Sequence, residues 1–186
     1  RVLVAPEDLF LVKGDPGERR TYLDELTVAL APRLDAVLSD LERVLRQRNS
    51  LLKSASALRG GGARSRSAAE ATLSIWDDQL AALSADVIAA RAALVDRLSD
   101  PLSQAYRAVA PGSRDPRALI EYLPGVPGAQ GLGRDALVDQ VRESLLARRD
   151  DEFARGITLV GPHRDELAVS LNGMPVRGYA SHGESW

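Results

Sequence analysis

The chain has 186 residues and near-balanced charge, 24 Lys and Arg against 26 Asp and Glu, so no overall charge bias marks it as a polyanion-binding protein. It has no cysteine, which excludes disulfides and thiolate metal sites, and only 4% aromatic residues, so a core must be built from Leu, Val and Ala as in helix-rich chains. No apolar run is long enough to span a membrane and no secretory leader is visible, so a cytosolic location is expected.

Basic charge is nearly all arginine, with Lys13 and Lys53 the only lysines. Arginine suits bidentate phosphate contacts. A GC-rich genome favouring Arg and Ala codons is the simpler source.

Residues 1–5 read as a strand already under way, and Pro6-Glu7-Asp8-Leu9 turns the chain. Asp15, Pro16 and Glu18 form a helix start: an N-cap, a proline at the first helical position and a capping-box acid. That helix is predicted to run towards Pro32. From Leu34 the apolar positions Val37, Leu38, Leu41, Val44, Leu45, Leu51 and Leu52 follow a 3-then-4 rhythm, with Arg48 intruding once. The Gly60-Gly61-Gly62 stretch breaks it. A second helix follows, with a seam of Leu73, Trp76, Leu80, Leu83, Val87, Ala90 and Leu94; Pro101 is expected to kink or interrupt it before Ala110. Two such helices joined by a short tip predict an antiparallel hairpin of roughly 25 residues and 37 Å per arm. Their polar outer faces favour an arm that projects over one packed on a body.

Pro111 to Pro116 marks a boundary, followed by a strand at 118–123 and a Gly- and Pro-rich loop to Gly133. An amphipathic helix is predicted over 134–155 with Gly156 as its stop, then a strand at 157–160. Strands at 167–171 and 174–179 flank Asn172-Gly173, the strongest two-residue hairpin signal. The expected class is mainly α: a helical hairpin with small β elements.

Three constellations carry candidate chemistry. Glu7 and Asp8 in a turn are suited to ordering a metal-bound water, and Arg19 and Arg20 near a helix start to meeting phosphate; solvated turn residues are the plainer reading. His163 beside Arg164 and Asp165 looks reactive, although a lone histidine next to a charge pair is more often a structural hydrogen-bonder. With His182 the only other histidine, no His cluster can hold zinc. Ser181, Gly183 and Glu184 follow the hairpin where a helix begins, so their backbone N–H groups are placed to meet a phosphate; an ordinary capping box is the alternative. No Gly-x-x-x-x-Gly-Lys-Ser/Thr loop and no apolar strand ending in paired acids occurs. The abrupt ends suggest the middle of a larger protein.

The stretch from Pro6 to Asp24 resembles, nearly position for position, the first signature of the RecF family of bacterial recombinational repair proteins. Val160-Gly161-Pro162-His163-Arg164-Asp165 and Tyr179-Ala180-Ser181-His182-Gly183-Glu184 resemble further RecF segments in the same order. The resemblance implies an ABC-type ATPase head, related to those of SMC proteins, with a short coiled-coil arm. It divides the chain into 1–32, the end of ATPase lobe I; 33–112, the hairpin arm; and 113–186, an α/β return to the head ending at the ABC signature motif. It places Pro6, Glu7 and Asp8 at the Q-loop, where the usual Gln is absent. It aligns Ser181 and Gly183, with Glu184, to the signature motif that reaches the γ-phosphate of ATP across a head-to-head homodimer. The phosphate loop and Walker B acids would lie outside this chain, so no catalytic residue is expected within it.

For the parent the resemblance implies a weak DNA-dependent ATPase using ATP and Mg2+. Its partners would be single-stranded, gapped or junction DNA, RecR and the RecO pathway, and it would aid recombinase loading. Arg19, Arg20, Arg64 and Arg66 are the candidate DNA contacts. Two other readings stand beside it: a non-enzymatic helical-hairpin interaction module, and a hydrolase built on His163 or Ser181.

Overall fold

The computed structural model describes residues 14–57, 63–110 and 116–176. The expected first strand, the Pro6-Glu7-Asp8 turn and the Ser181-His182-Gly183-Glu184 segment lie outside the described residues. Five helices are present among them: α1 (Pro16–Leu30), α2 (Leu34–Ala57), α3 (Ala63–Val109), α4 (Arg134–Ala147) and α5 (Arg149–Arg155). Strands β1 (Ala118–Leu123), β2 (Glu166–Leu171) and β3 (Met174–Pro175) form one antiparallel sheet in that order. The mainly α class with small β elements stands.

α1 begins as its sequence dictates. The Glu18 carboxylate accepts the Asp15 backbone N–H at 3.0 Å, which is the capping-box bond. α3 runs unbroken through Pro101, so of the kink or interruption expected there the helix shows no interruption. Pro101 is exposed, so water can satisfy the carbonyl one turn back that the ring leaves without a donor. The helix predicted over 134–155 instead breaks at Arg148, whose φ of −99° and ψ of 6° separate α4 from α5. The new helix opens on Asp150, Asp151 and Glu152, acids that favour a helix N-terminus. Gly156 ends α5 in the left-handed region, φ 67°, where a side chain would be strained.

Residues 157–160 do not form the predicted strand. Their donors go to side chains: the Thr158 N–H to Asn49 Oδ1 at 2.7 Å and the Leu159 N–H to Glu152 Oε1 at 2.8 Å. β2 and β3 meet at Asn172 and Gly173, both with positive φ (52° and 80°), the two-residue turn that this pair predicts.

Two compact units emerge. The first contains, among described residues, 14–30, 90–110, 116–123 and 165–176; the second contains 31–57, 63–89 and 124–164. In the first, Leu23, Leu94, Val95, Ala118, Tyr122 and Leu167 are buried. In the second, Leu41, Val44 and Leu52 of α2 are buried, as are Leu73, Leu80 and Ile88 of α3 and Leu137, Val141 and Leu145 of α4. Within this unit the hairpin is not bare. Salt bridges tie α4 to α3, and α5 shares the α2 surface.

The 124–133 connection is held closely. A Cβ on Gly125 would lie 2.5 Å from Arg164 Cβ and 2.7 Å from both Arg164 C and Gly161 O. Two of those atoms are backbone and cannot swing aside. Gly125→Ala is therefore expected to destabilise by about 2–3 kcal/mol, read as a lower urea midpoint at unchanged m-value. A midpoint equal to wild type would mean that the 161–164 backbone yields freely.

Candidate functional site

Charged residues inside the helical seams organise each unit. In the second unit Arg48 of α2 is fully buried. Its Nε donates to Asp77 Oδ1 at 2.8 Å, Nη1 to Thr158 Oγ1 at 2.9 Å and Nη2 to Glu152 Oε2 at 2.5 Å. Arg149 closes the network on Asp77 Oδ2. Glu152 is also fully buried, and it spends its other oxygen on the Leu159 N–H. One guanidinium thereby fixes α2, α3, α5 and the irregular 157–160 segment.

Thr158 then positions the histidine motif. Its carbonyl accepts from Arg164 Nη2 at 3.1 Å and lies 3.2 Å from His163 Nε2. A carbonyl can only accept, so Nε2 is the protonated nitrogen in this contact. That is a holding role, and it leaves Nε2 unsuited to taking a proton from a hydroxyl.

In the first unit Arg91 of α3 is buried and doubly paired. Nε and Nη2 donate to the two oxygens of Asp24, each at 2.9 Å, and Nη1 donates to Asp165 Oδ2 at 2.6 Å. Asp165 is fully buried and also accepts from the Tyr122 hydroxyl. Burial opposes the Arg91 charge, but Asp24 and Asp165 outweigh it and raise its pKa. Burial, reinforced by the Asp165 carboxylate, pushes the Tyr122 phenol up, so it stays a donor.

The arginine pair after the first turn divides its work within the same unit. Arg19 is 4% exposed and clamps Glu166 through Nε at 2.6 Å and Nη2 at 2.8 Å. Arg20 donates to the Asp165 carbonyl at 2.9 Å. Arg19 thus serves the fold and, as placed, is withdrawn from any outside phosphate. Arg66, in the second unit, is half-exposed yet held by Glu70 and Asp150 and stacked 5.0 Å over the Phe153 ring. Arg64 falls in α3, with no side-chain placement described.

The Arg19 hydrogen bond holds the Glu166 carboxyl below its ordinary value. A depressed carboxylate contributes stability above its unfolded-state pKa, near 4.5, and loses it as pH falls through the folded value. Glu166→Gln is therefore expected to flatten the acid limb of the stability curve below about pH 4.5, by about 1 kcal/mol. Parallel curves for the two proteins would remove Glu166 from acid unfolding.

Among the described residues no group of three or more His, Cys, Asp or Glu forms a metal cluster, and none supplies a phosphate-binding loop. No helix there is long and apolar enough to cross a membrane. The candidate nucleotide residues, Ser181, Gly183 and Glu184, lie outside the described part.

No protein-family model matches the chain. It is 50% identical over 194 residues to the DNA replication and repair protein RecF of Kineococcus radiotolerans and 51% identical over 185 residues to that of Streptomyces avermitilis. All of this chain is covered in both comparisons, and 48% of each relative, so the chain spans about half their length. A solved structure of the recombination mediator protein RecF-ATPrS in the RecFOR pathway superposes with a TM-score of 0.86 at 26% identity. That match covers 99% of this chain and 46% of the other. A RecF-ATP structure gives 0.84 at the same identity and coverage.

Proposed function

Since the chain belongs along its whole length to the RecF family of DNA replication and repair proteins, we propose that it is the arm and flanking head portion of an ATP-dependent clamp on DNA. The observation that carries this reading is about half identity over the full chain to proteins bearing that name, joined to folds of RecF with ATP-type nucleotides.

In this reading Ser181, Gly183 and Glu184 form the motif that meets ATP held by a second subunit. The Ser hydroxyl and the following backbone N–H groups are donors of the kind a γ-phosphate takes. Mg2+ would sit with the nucleotide, and Pro6, Glu7 and Asp8 would occupy the Q-loop position. Binding ATP would favour the closed dimer and hydrolysis the open one, a switch driven by differential affinity. The DNA recognised is single-stranded, gapped or junction DNA, and RecR and RecO assist recombinase loading onto it. Arg20, Arg64 and the exposed Arg66 are the candidate DNA contacts, and Arg19 would join them only by releasing Glu166; contacts to phosphate would be sequence-blind and salt-sensitive.

The test is ATP-dependent dimerisation of the full-length protein, wild type against Ser181→Arg, followed by sedimentation. The wild type is expected to dimerise with ATP, and the variant to bind ATP yet stay monomeric. A variant that dimerises normally reduces Ser181 to a helix cap and favours the hairpin as a protein-interaction module.

A further inference from the structure

On the second unit, α3 and α4 share an outward stripe with an ordered pattern. Arg134 Nε meets Asp86 Oδ1 at 2.6 Å, and Arg142 Nε meets Asp78 Oδ1 at 2.8 Å. Advancing along α4 from Arg134 to Arg142 retreats equally along α3 from Asp86 to Asp78, so the two helices run antiparallel in a fixed register. One turn further on, that register sets Leu146 of α4 opposite Ser74 of α3, next in sequence to Ile75. Leu146 is 66% exposed and Ile75 60%, among the most exposed large apolar residues described in this unit. Between the ion pairs it sets Ala82 opposite Val138, both half-buried. Ile75, Asp78, Ala82 and Asp86 lie on one helical stripe, and Arg134, Val138, Arg142 and Leu146 on the other. Within these eight residues both acids are on α3 and both bases on α4; Asp135 and Asp139 of α4 flank the bases, 3.6 Å from Arg134 and 3.4 Å from Arg142.

An acidic row beside a basic row is self-complementary. A two-fold axis lying in the plane of the face and parallel to the helices sets α3 of one copy against α4 of the other. Each Asp78 then faces a second Arg142 and each Asp86 a second Arg134, and each Ile75 lies one residue off the level of a Leu146. We propose that this face is an isologous contact between two copies of the chain, separate from any nucleotide-driven contact. Burial of Ile75 and Leu146 supplies the attraction. The charge rows add little energy, being exposed, but they fix the register and reject other alignments.

The experiment is sedimentation of the full-length protein without nucleotide, so that its outcome is independent of Ser181. Wild type is expected to associate reversibly by about 100 µM, the range of a small contact. Ile75→Glu should weaken association at least about tenfold. Asp78→Arg sets base against base across the axis and Arg142→Asp sets acid against acid, with Asp139 beside position 142 in both, so each alone should self-associate more weakly than wild type. Mixed together they should associate at least as tightly as wild type, a recovery that damage to the fold cannot mimic. Wild type that stays monomeric at that concentration overturns the proposal, as does a mixture no tighter than its separate components.

Discussion

Replacing Arg48 by methionine is expected to lower the unfolding free energy by about 3–5 kcal/mol, because it strands buried charge. Glu152 would remain fully buried with only the Leu159 N–H at 2.8 Å to answer its carboxylate. Asp77 would keep Arg149, and Thr158 Oγ1 would keep Asn49 at 2.7 Å. The loss therefore falls mainly on Glu152. Pairing the change with Glu152→Met removes the stranded charge and is expected to restore more than half of the loss, since a buried ion pair and a well-packed apolar pair are often close in free energy. Urea unfolding of the two single variants and the double variant gives the coupling directly. A single-variant loss under about 1 kcal/mol would mean that water reaches Glu152 and that Arg48 is not the organiser of this unit.

Arg48 also marks the limit of what periodicity reveals. The rhythm of α2 places its position in the seam with Leu41, Val44 and Leu52, and there the chain buries it. Its residue type made it read as an intrusion. In α3 the predicted seam residues Leu73, Leu80, Val87 and Leu94 are buried, and the same preference for apolar types displaced only the alternate positions by one. The apolar reading chose Trp76, Leu83 and Ala90, which are only half-buried, whereas Asp77, Ser84 and Arg91 are the buried positions. Opposite charges at seam positions of two facing helices, Arg48 and Asp77, were a legible signal of a buried ion pair. The other partners were not legible. Glu152 and Thr158 lie 104 and 110 residues from Arg48, and no local spacing encodes such a meeting.

Local chemistry was read well where it is local: the capping box at Asp15 and Glu18, the Gly156 stop and the Asn172-Gly173 turn. It failed at 157–160, where an apolar run looks like a strand but its donors are taken by Asn49 and Glu152. The motif from Gly161 to Asp165 was found from sequence, but its first use in the fold is structural. Thr158 holds its His and Arg in one unit, and Arg91 holds its Asp in the other.

The second large effect is expected at Arg91, and it separates structural from functional use of Asp165. Arg91→Met should cost the first unit about 3–5 kcal/mol, because Asp165 is fully buried and would lose its guanidinium counter-ion while keeping the Tyr122 hydroxyl. Asp165→Asn should cost less, about 2–3 kcal/mol, since the amide still accepts but no longer balances the guanidinium, which keeps Asp24. Tyr122→Phe should cost about 1 kcal/mol, the value of one hydrogen bond. It carries its own pH signature. A phenol whose folded pKa is raised contributes stability below its unfolded value, near 10, and loses it as pH rises through that region. Tyr122→Phe is therefore expected to blunt alkaline destabilisation above about pH 10 while leaving the neutral region nearly parallel to wild type. Denaturant unfolding across pH ranks the three variants. The order Arg91→Met, Asp165→Asn, Tyr122→Phe makes Asp165 a buried counter-ion first. If Asp165→Asn instead leaves stability unchanged while abolishing ATP-dependent dimerisation of the full-length protein, the carboxylate acts in the switch itself and its burial serves to hold it ready.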